Sequence, residues 1–332
     1  MLLIGLLASC ASLDEADTQS ADTAGAAGTA DAARADHTAI AVTETGIVRG
    51  VETATMRIFR GIPYAAAPVG DLRWQPPQRA ARWHGIRDAT QLANHCPQIA
   101  GSFGQGSVTE DCLFLNVFAP ARRHDHDRDR DEGDDRDDGD DHDGLGLRPV
   151  MVWIHGGALV TGESDDYDPT RLVEQGDVIV VTINYRLGAL GFLAHPALTA
   201  ESPDHASGNF GLMDQQAALG WVRRNIVLFG GDPFNVTIFG ESAGGLSVHS
   251  QLVSPGARGL FQRAIVHSGA YQLTQSTLAA GEAAGTALAT RAGCTDQTAT
   301  CLRGLTVAQV LGAQLPGTNA ARPVIDNKVL PQ

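Results

Sequence analysis

Val236-Thr237-Ile238-Phe239-Gly240-Glu241-Ser242-Ala243-Gly244-Gly245 is the stretch on which the reading of this chain turns. Val236 to Phe239 is a β-branched and aromatic run, the composition of a buried strand. Gly240 to Gly244 then fits G-x-S-x-G, and an Ala/Gly-rich segment suited to a helix follows. A strand that bends sharply into a helix crowds its own backbone at the apex. Glycines two residues to either side of the serine leave room for that bend. The bend lifts the Ser242 hydroxyl out of the sheet, and the helix behind it presents free N–H groups and a positive dipole end. Five residues of pattern recur by chance; the strand before and the helix after make Ser242 the expected nucleophile.

Working outward, other apolar runs have the same character. Val150–Ile154, Val178–Ile183 and Ala264–Val266 read as short buried strands, and about Leu212–Ile226 as a helix. Apolar strands separated by helices indicate an α/β fold around a parallel sheet covered on both faces. In such sheets the active site lies at the carboxyl ends of the strands. His155-Gly156-Gly157-Ala158, Asn184-Tyr185-Arg186-Leu187-Gly188 and the Ser242 stretch all fall at those ends. Upstream, Thr38–Glu52 and Met56–Ala65 look like strands with a turn at Gly46 or Gly50, and Leu113–Phe118 like another. A tetrahedral oxyanion on a serine ester needs hydrogen-bond donors, and the small residues after His155 let backbone N–H groups approach a substrate oxygen. A simple tight turn is the alternative for that segment.

The chain has 332 residues and a formal net charge of −14. Residues 124–143 hold 12 acidic residues against 3 arginines, leaving −5 for the rest. That local excess argues for no cationic substrate, and nothing points to nucleic acid. The stretch lacks the frame of carboxylates and glycine that a calcium loop requires; it reads as a disordered acidic insertion. Cysteines fall at 10, 96, 112, 294 and 301. None has C-x-x-C spacing, so no zinc or redox motif arises. Two close pairs, Cys96 with Cys112 and Cys294 with Cys301, read as local disulfides of an oxidising compartment, with buried thiols as the alternative.

Cys10 is left over at the end of the apolar opening Met1–Cys10, MLLIGLLASC. A short apolar run followed by Leu7-Ala8-Ser9-Cys10 resembles a bacterial lipobox, in which the cysteine is lipidated. Residues 1–10 are thus expected to be a lipoprotein-type signal, 11–37 a flexible spacer, and 38–332 the folded domain. The protein is expected to be exported in a bacterium: periplasmic, held at the outer membrane through Cys10, or extracellular.

Longer blocks then narrow the reading. Glu110-Asp111-Cys112-Leu113-Phe114-Leu115-Asn116-Val117 and Phe229–Gly245 resemble signature stretches of the type B carboxylesterase/lipase family, which includes the cholinesterases. RGIPYAAAPVGDLRW (60–74), NYRLGALGFL (184–193), GNFGLMDQQAALGWVRRNI (208–226) and PVIDNKVLP near the end fit as well. The resemblance runs from about residue 38 to 332, interrupted by the acidic insertion. It implies the α/β-hydrolase fold, a small-molecule carboxylic ester as substrate, and no metal or cofactor. It places Gly157, Ala158 and Ala243 at the oxyanion-hole positions, and matches both cysteine pairs to family disulfides. It makes Glu241 a buried carboxylate near the site, either supporting the chemistry or accepting a structural hydrogen bond. Asn235-Val236-Thr237 fits a glycosylation sequon and reads as structural.

A serine nucleophile needs a base, usually histidine oriented by a carboxylate that precedes it in the chain. After Ser242 come only His249, expected two turns down the helix and facing away, and His267, in the wrong strand order for the base. Ser268 resembles a family serine that supports the catalytic acid. Glu282, Asp296 and Asp326 read as solvated helix, loop and rim residues. The resemblance places both acid and histidine beyond Asp326, so the expectation is a C-terminally truncated domain that is poorly folded and inactive by itself. Two rivals stand beside the esterase: a non-catalytic binding or adhesion module on the same fold, and an inactive fragment.

Overall fold

The computed structural model describes residues 37–101, 104–122, 146–270, 274–314 and 322–332. Cys10, residues 11–36 of the spacer and the acidic insertion lie outside the described residues, whereas His37 already belongs to the first strand. The chain opens with the antiparallel hairpin of β1 (His37–Thr43) and β2 (Gly46–Glu52), with Thr43 opposite Gly46. The turn is therefore Glu44-Thr45, and Gly50 lies inside β2. Strands β3 (Met56–Pro63), β4 (Ile86–Asp88) and β5 (Phe114–Pro120) follow.

The second stretch alternates strand and helix. It runs β6 (Arg148–Ile154), α1 (Thr170–Gly176), β7 (Ile179–Ile183), α2 (Gly188–Phe192), α3 (Pro196–Glu201) and α4 (Phe210–Asn225). Then come β8 (Gly231–Glu241), α5 (Ala243–Val253) and β9 (Arg263–His267). Last are β10 (Ser276–Thr277), α6 (Leu278–Ala292), α7 (Ala299–Gly304), α8 (Val307–Ala313) and β11 (Val324–Ile325).

One sheet runs in the order β1-β2-β3-β5-β7-β6-β8-β9, with β4 beside β2. Pairing from β7 through β6 and β8 to β9 is parallel, and β1, β2, β3, β5 and β7 extend it antiparallel. This is the expected α/β-hydrolase sheet. β7 is buried at all five positions, as a central parallel strand between two helical layers must be. β9 departs from that expectation: its residues alternate exposed and half-buried, and Ile265 is 39% exposed. Among the described residues it pairs only with β8, so it forms the sheet's edge.

The main core lies between the sheet and the buried faces of α4 and α5, with Leu212, Leu219, Trp221, Val222 and Val248 packed against Val152, Ile154, Val181 and Ile238. On the opposite face Met56, Phe118, Trp153, Val180 and Phe239 pack with Val173 of α1. α4 starts two residues before the sequence pattern suggested and ends in a 3-10 turn closed by Gly230 in the left-handed region. β8 begins at Gly231, five residues before its apolar run, because Arg148 pairs with Gly231 across a register shift.

Several of the blocks singled out in the sequence prove to be ion-pair partners. Arg186 donates from Nε and Nη2 to the Asp214 carboxylate at 2.7 Å each, and both residues are buried. Arg73 clasps Glu110 with Nε and Nη2 and caps the Leu305 carbonyl at 2.6 Å through Nη1. Both expected disulfides, Cys96–Cys112 and Cys294–Cys301, are present. Asp326 corrects one expectation. It is 8% exposed, not solvated, and accepts hydrogen bonds from the backbone N–H groups of Lys328, Val329 and Leu330 and from Asn209. A carboxylate with four donors is built into its turn. Asp296 is exposed and caps Thr298, as a loop carboxylate should.

Candidate active site

Ser242 stands between β8 and α5 with φ 54° and ψ −118°. A non-glycine residue there carries strain of about 1–3 kcal/mol, which only over-determined surroundings sustain. The surroundings are close. The Ser242 N–H donates to the His267 carbonyl of β9 at 2.9 Å, and Leu246 N–H returns to the Ser242 carbonyl at 2.9 Å. A Cβ on Gly240 would sit 2.5 Å from the Gly244 carbonyl carbon, and one on Gly244 2.0 Å from the Ile154 carbonyl oxygen. The flanking glycines therefore let strand, turn and helix pack without a gap.

The end of β6 faces this bend. Gly156 is buried, and a Cβ there would lie 3.4 Å from that of Ser242 and 3.2 Å from Glu241 Oε2. Gly157, Ala158 and Leu159 all take positive φ, at 91°, 56° and 64°. The Gly157 carbonyl accepts from Val160 and Thr161 at 3.0 Å each. A trans peptide holds its C=O and N–H in one plane pointing opposite ways. Fixing the Gly157 carbonyl on one side therefore aims the Ala158 N–H to the other. Ala158, Leu159, Ser242, Leu246 and Arg322 line a cavity of about 240 Å³. The sequence-assigned Ser242 and Ala158 thus meet at one hollow, with Ala243 opening the helix beside it and Gly157 adjoining Ala158. Glu241 is half-buried and turns its carboxylate toward Gly156 rather than into the cavity lining.

Among the described residues no histidine or carboxylate lines that cavity. His155 is fully buried, stacks on Tyr185 at 4.4 Å between centroids, and sets Nδ1 against the Gly156 carbonyl at 3.0 Å. Burial pushes its pKa down to about 4, so it is a neutral packing residue at the end of β6. His249 is exposed on α5, and His267 serves the site through its backbone carbonyl. Asn235 uses its side chain to accept from Arg263 at 2.5 Å.

Among the described residues two clusters have the residue types of metal ligands. Cys294, Asp296 and Cys301 form one, but its sulfurs are bonded to each other. In the other, His95 presents Nδ1 to Glu163 at 2.6 Å and Nε2 to Asp165 at 3.0 Å. Carboxylates on opposite ring nitrogens suit a bridging imidazolium, whereas one metal ion could reach only one of those nitrogens. The Asp165 contact is the largest influence on His95; burial opposes it, and the charges of Asp165, Glu163 and Asp166 add to it, so that the pKa stands above its ordinary value. Sequence reading missed this ion pair and the Gln98 contacts described below, because His95 and Gln98 flank a cysteine with no motif of their own.

A strained serine at a strand–helix bend, facing a glycine turn at the neighbouring strand's end, is the arrangement of the α/β-hydrolase fold. The sequence profile described as "Carboxylesterase family" matches residues 37–332, and the chain belongs to that family. It is 40% identical over 291 residues to acylcarnitine hydrolase of Mus musculus, covering 81% of this chain and 47% of that protein. With para-nitrobenzyl esterase of Bacillus subtilis it shares 42% identity over 252 residues, 74% of this chain and 46% of that one. A solved PNB esterase structure superposes with a TM-score of 0.74 at 38% identity, covering 88% of this chain and 58% of its own. The chain spans about half the length of the curated relatives it matches.

Proposed function

We propose that the protein is a carboxylic ester hydrolase working through an acyl-enzyme on Ser242. The observation that carries this is the strained Ser242 at the mouth of the cavity shared with Ala158. In acylation the Ser242 Oγ bonds to the ester carbonyl carbon, its proton passes to a base, and the carbonyl oxygen becomes an oxyanion. The N–H groups of Gly157, Ala158 and Ala243 receive that charge, each donor contributing about 3–4 kcal/mol to lowering the barrier. Collapse expels the alcohol, and water repeats the sequence to free the acid. Glu241, beside the nucleophile, adds negative charge that favours a protonated base. Names among the relatives, such as acylcarnitine hydrolase and para-nitrobenzyl esterase, support a small-molecule carboxylic ester as the substrate class.

The second reading, a chain that keeps the fold without turnover, is favoured by one observation: among the described residues no base lines the cavity. Labelling with a fluorophosphonate probe separates the two. Labelling of the wild-type chain and none of Ser242→Ala supports the esterase. A folded wild-type chain that resists the probe supports the non-catalytic reading.

The chain divides into an export signal at 1–10, a spacer at 11–37 and the esterase domain at 38–332, interrupted in sequence by the acidic insertion at 124–143. The two disulfides support an oxidising compartment, and the opening MLLIGLLASC supports attachment through a lipid on Cys10. Loss of palmitate incorporation in Cys10→Ser is the expected result; unchanged partitioning of that variant into detergent would remove the anchor.

A further inference from the structure

We infer that Gln98 is a positioning residue of the oxyanion hole, an assignment that rests on the esterase reading above. Gln98 is 2% exposed, and it sits outside the cavity lining. Its side-chain carbonyl oxygen accepts from Thr161 Oγ1 at 2.6 Å and from Gly162 N–H at 2.8 Å. Its Nε2 donates to the Gly162 carbonyl at 3.1 Å and to the Cys96 carbonyl at 3.3 Å. One buried amide thus grips the Thr161-Gly162 unit by a hydroxyl, an N–H and a C=O. Few side chains offer both a two-fold acceptor and a two-fold donor in one plane.

The grip reaches the site through a short hydrogen-bonded path. Thr161 N–H holds the Gly157 carbonyl, and that carbonyl fixes the plane of the peptide whose N–H belongs to Ala158. The turn is so tight that a Cβ on Gly157 would lie 2.1 Å from the Thr161 carbonyl oxygen. A shift of Thr161 therefore turns the Ala158 donor. Gln98 itself is anchored. Its backbone exchanges a reciprocal pair of 3.0 Å hydrogen bonds with Ser107, inside the loop closed by the Cys96–Cys112 disulfide. Gly104 supplies the space, since a Cβ there would lie 2.3 Å from Gln98 Oε1. The disulfide and the Gln98–Ser107 pair thereby anchor the side chain against which the oxyanion turn is set.

A residue acting only on donor aim changes the transition state more than substrate binding. Gln98→Met keeps the volume and removes all four contacts. It should lower kcat for a p-nitrophenyl ester by roughly tenfold to a hundredfold, less than removal of a donor outright, with KM within about twofold. Gln98→Glu supplies the rescue. Its ionised carboxylate sets an oxygen against the Gly162 carbonyl, whereas the protonated acid donates there as the amide does. The ratio of its kcat to that of wild type should rise as pH falls, while the Gln98→Met ratio stays level. Melting temperatures of both variants confirm that they are folded. A wild-type chain that turns over ester, with Gln98→Met matching its kcat or losing only KM, overturns the assignment alone. Equal and pH-independent losses in both variants do the same. A wild-type chain with neither turnover nor Ser242 labelling overturns the esterase reading, and this assignment with it.

Discussion

Gly244 and Gly220 are both helical glycines, and alanine should have opposite effects at the two. Helix propensity favours alanine by about 0.5–1 kcal/mol at either position. Space decides the rest. At Gly220, in α4, a Cβ would meet only the far end of Arg224 at 3.1 Å, a flexible group that swings aside. At Gly244, in α5, it would lie 2.0 Å from the Ile154 carbonyl oxygen and 2.9 Å from that of His155. Ordinary contact requires α5 and the end of β6 to part by roughly 1 Å or more. Such overpacking costs up to about 3 kcal/mol. The propensity gain offsets part of it, leaving Gly244→Ala about 1–2 kcal/mol less stable. In a domain of this size that lowers the melting temperature by roughly 2–8 °C. The same displacement moves the oxyanion turn away from Ser242, for a further loss of about a hundredfold in kcat. Thermal denaturation followed by circular dichroism reads the stability, and initial ester hydrolysis rates read the rest. Gly220→Ala should melt slightly above wild type. If Gly244→Ala melts as high as Gly220→Ala, the close approach of α5 to β6 does not exist.

Two other substitutions probe the ion pairs. Asp214→Ala strands the buried Arg186 guanidinium and should cost about 3–5 kcal/mol in urea denaturation; a loss below about 1 kcal/mol would mean that water reaches the pair. His95 has its pKa raised in the folded state, so its stabilisation is complete below the unfolded value of about 6.5 and is lost as pH rises through the folded one. Glu163 and Asp166, raised by burial, act in the same sense from the usual carboxylate range upward. Melting temperatures of wild type should therefore fall from pH 6 to pH 8, and those of His95→Gln should fall less; parallel curves would remove His95 from the account.

What the sequence disclosed followed the reach of its signals. The bend at Ser242 was legible because a strand, a sharp turn and a helix each leave a local pattern over ten residues. The cysteine pairs were legible because they are close in sequence. β9 was read as a buried strand because its central residues are apolar, yet exposure depends on what lies beside it. Asp326 was misjudged for a related reason: its partner Asn209 is 117 residues away. The partnerships of Arg73 with Glu110, Arg186 with Asp214 and Gln98 with Gly162 join blocks that are recognisable one at a time. Only the fold shows that they answer to one another. The serine at its apex was evident early, whereas the grip on the facing turn depended on a glutamine whose neighbours in sequence give no hint of it.

The central claim is a covalent ester on Ser242. Its most direct measurement is acid-quenched mass spectrometry of the chain during turnover of p-nitrophenyl acetate, with the peptide containing Ser242 sequenced. The account predicts one acetyl group on Ser242, formed at the rate of the initial p-nitrophenol release and absent in Ser242→Ala. Ester hydrolysis that persists in Ser242→Ala, or a folded chain on which no acetyl group ever appears at Ser242, would contradict it.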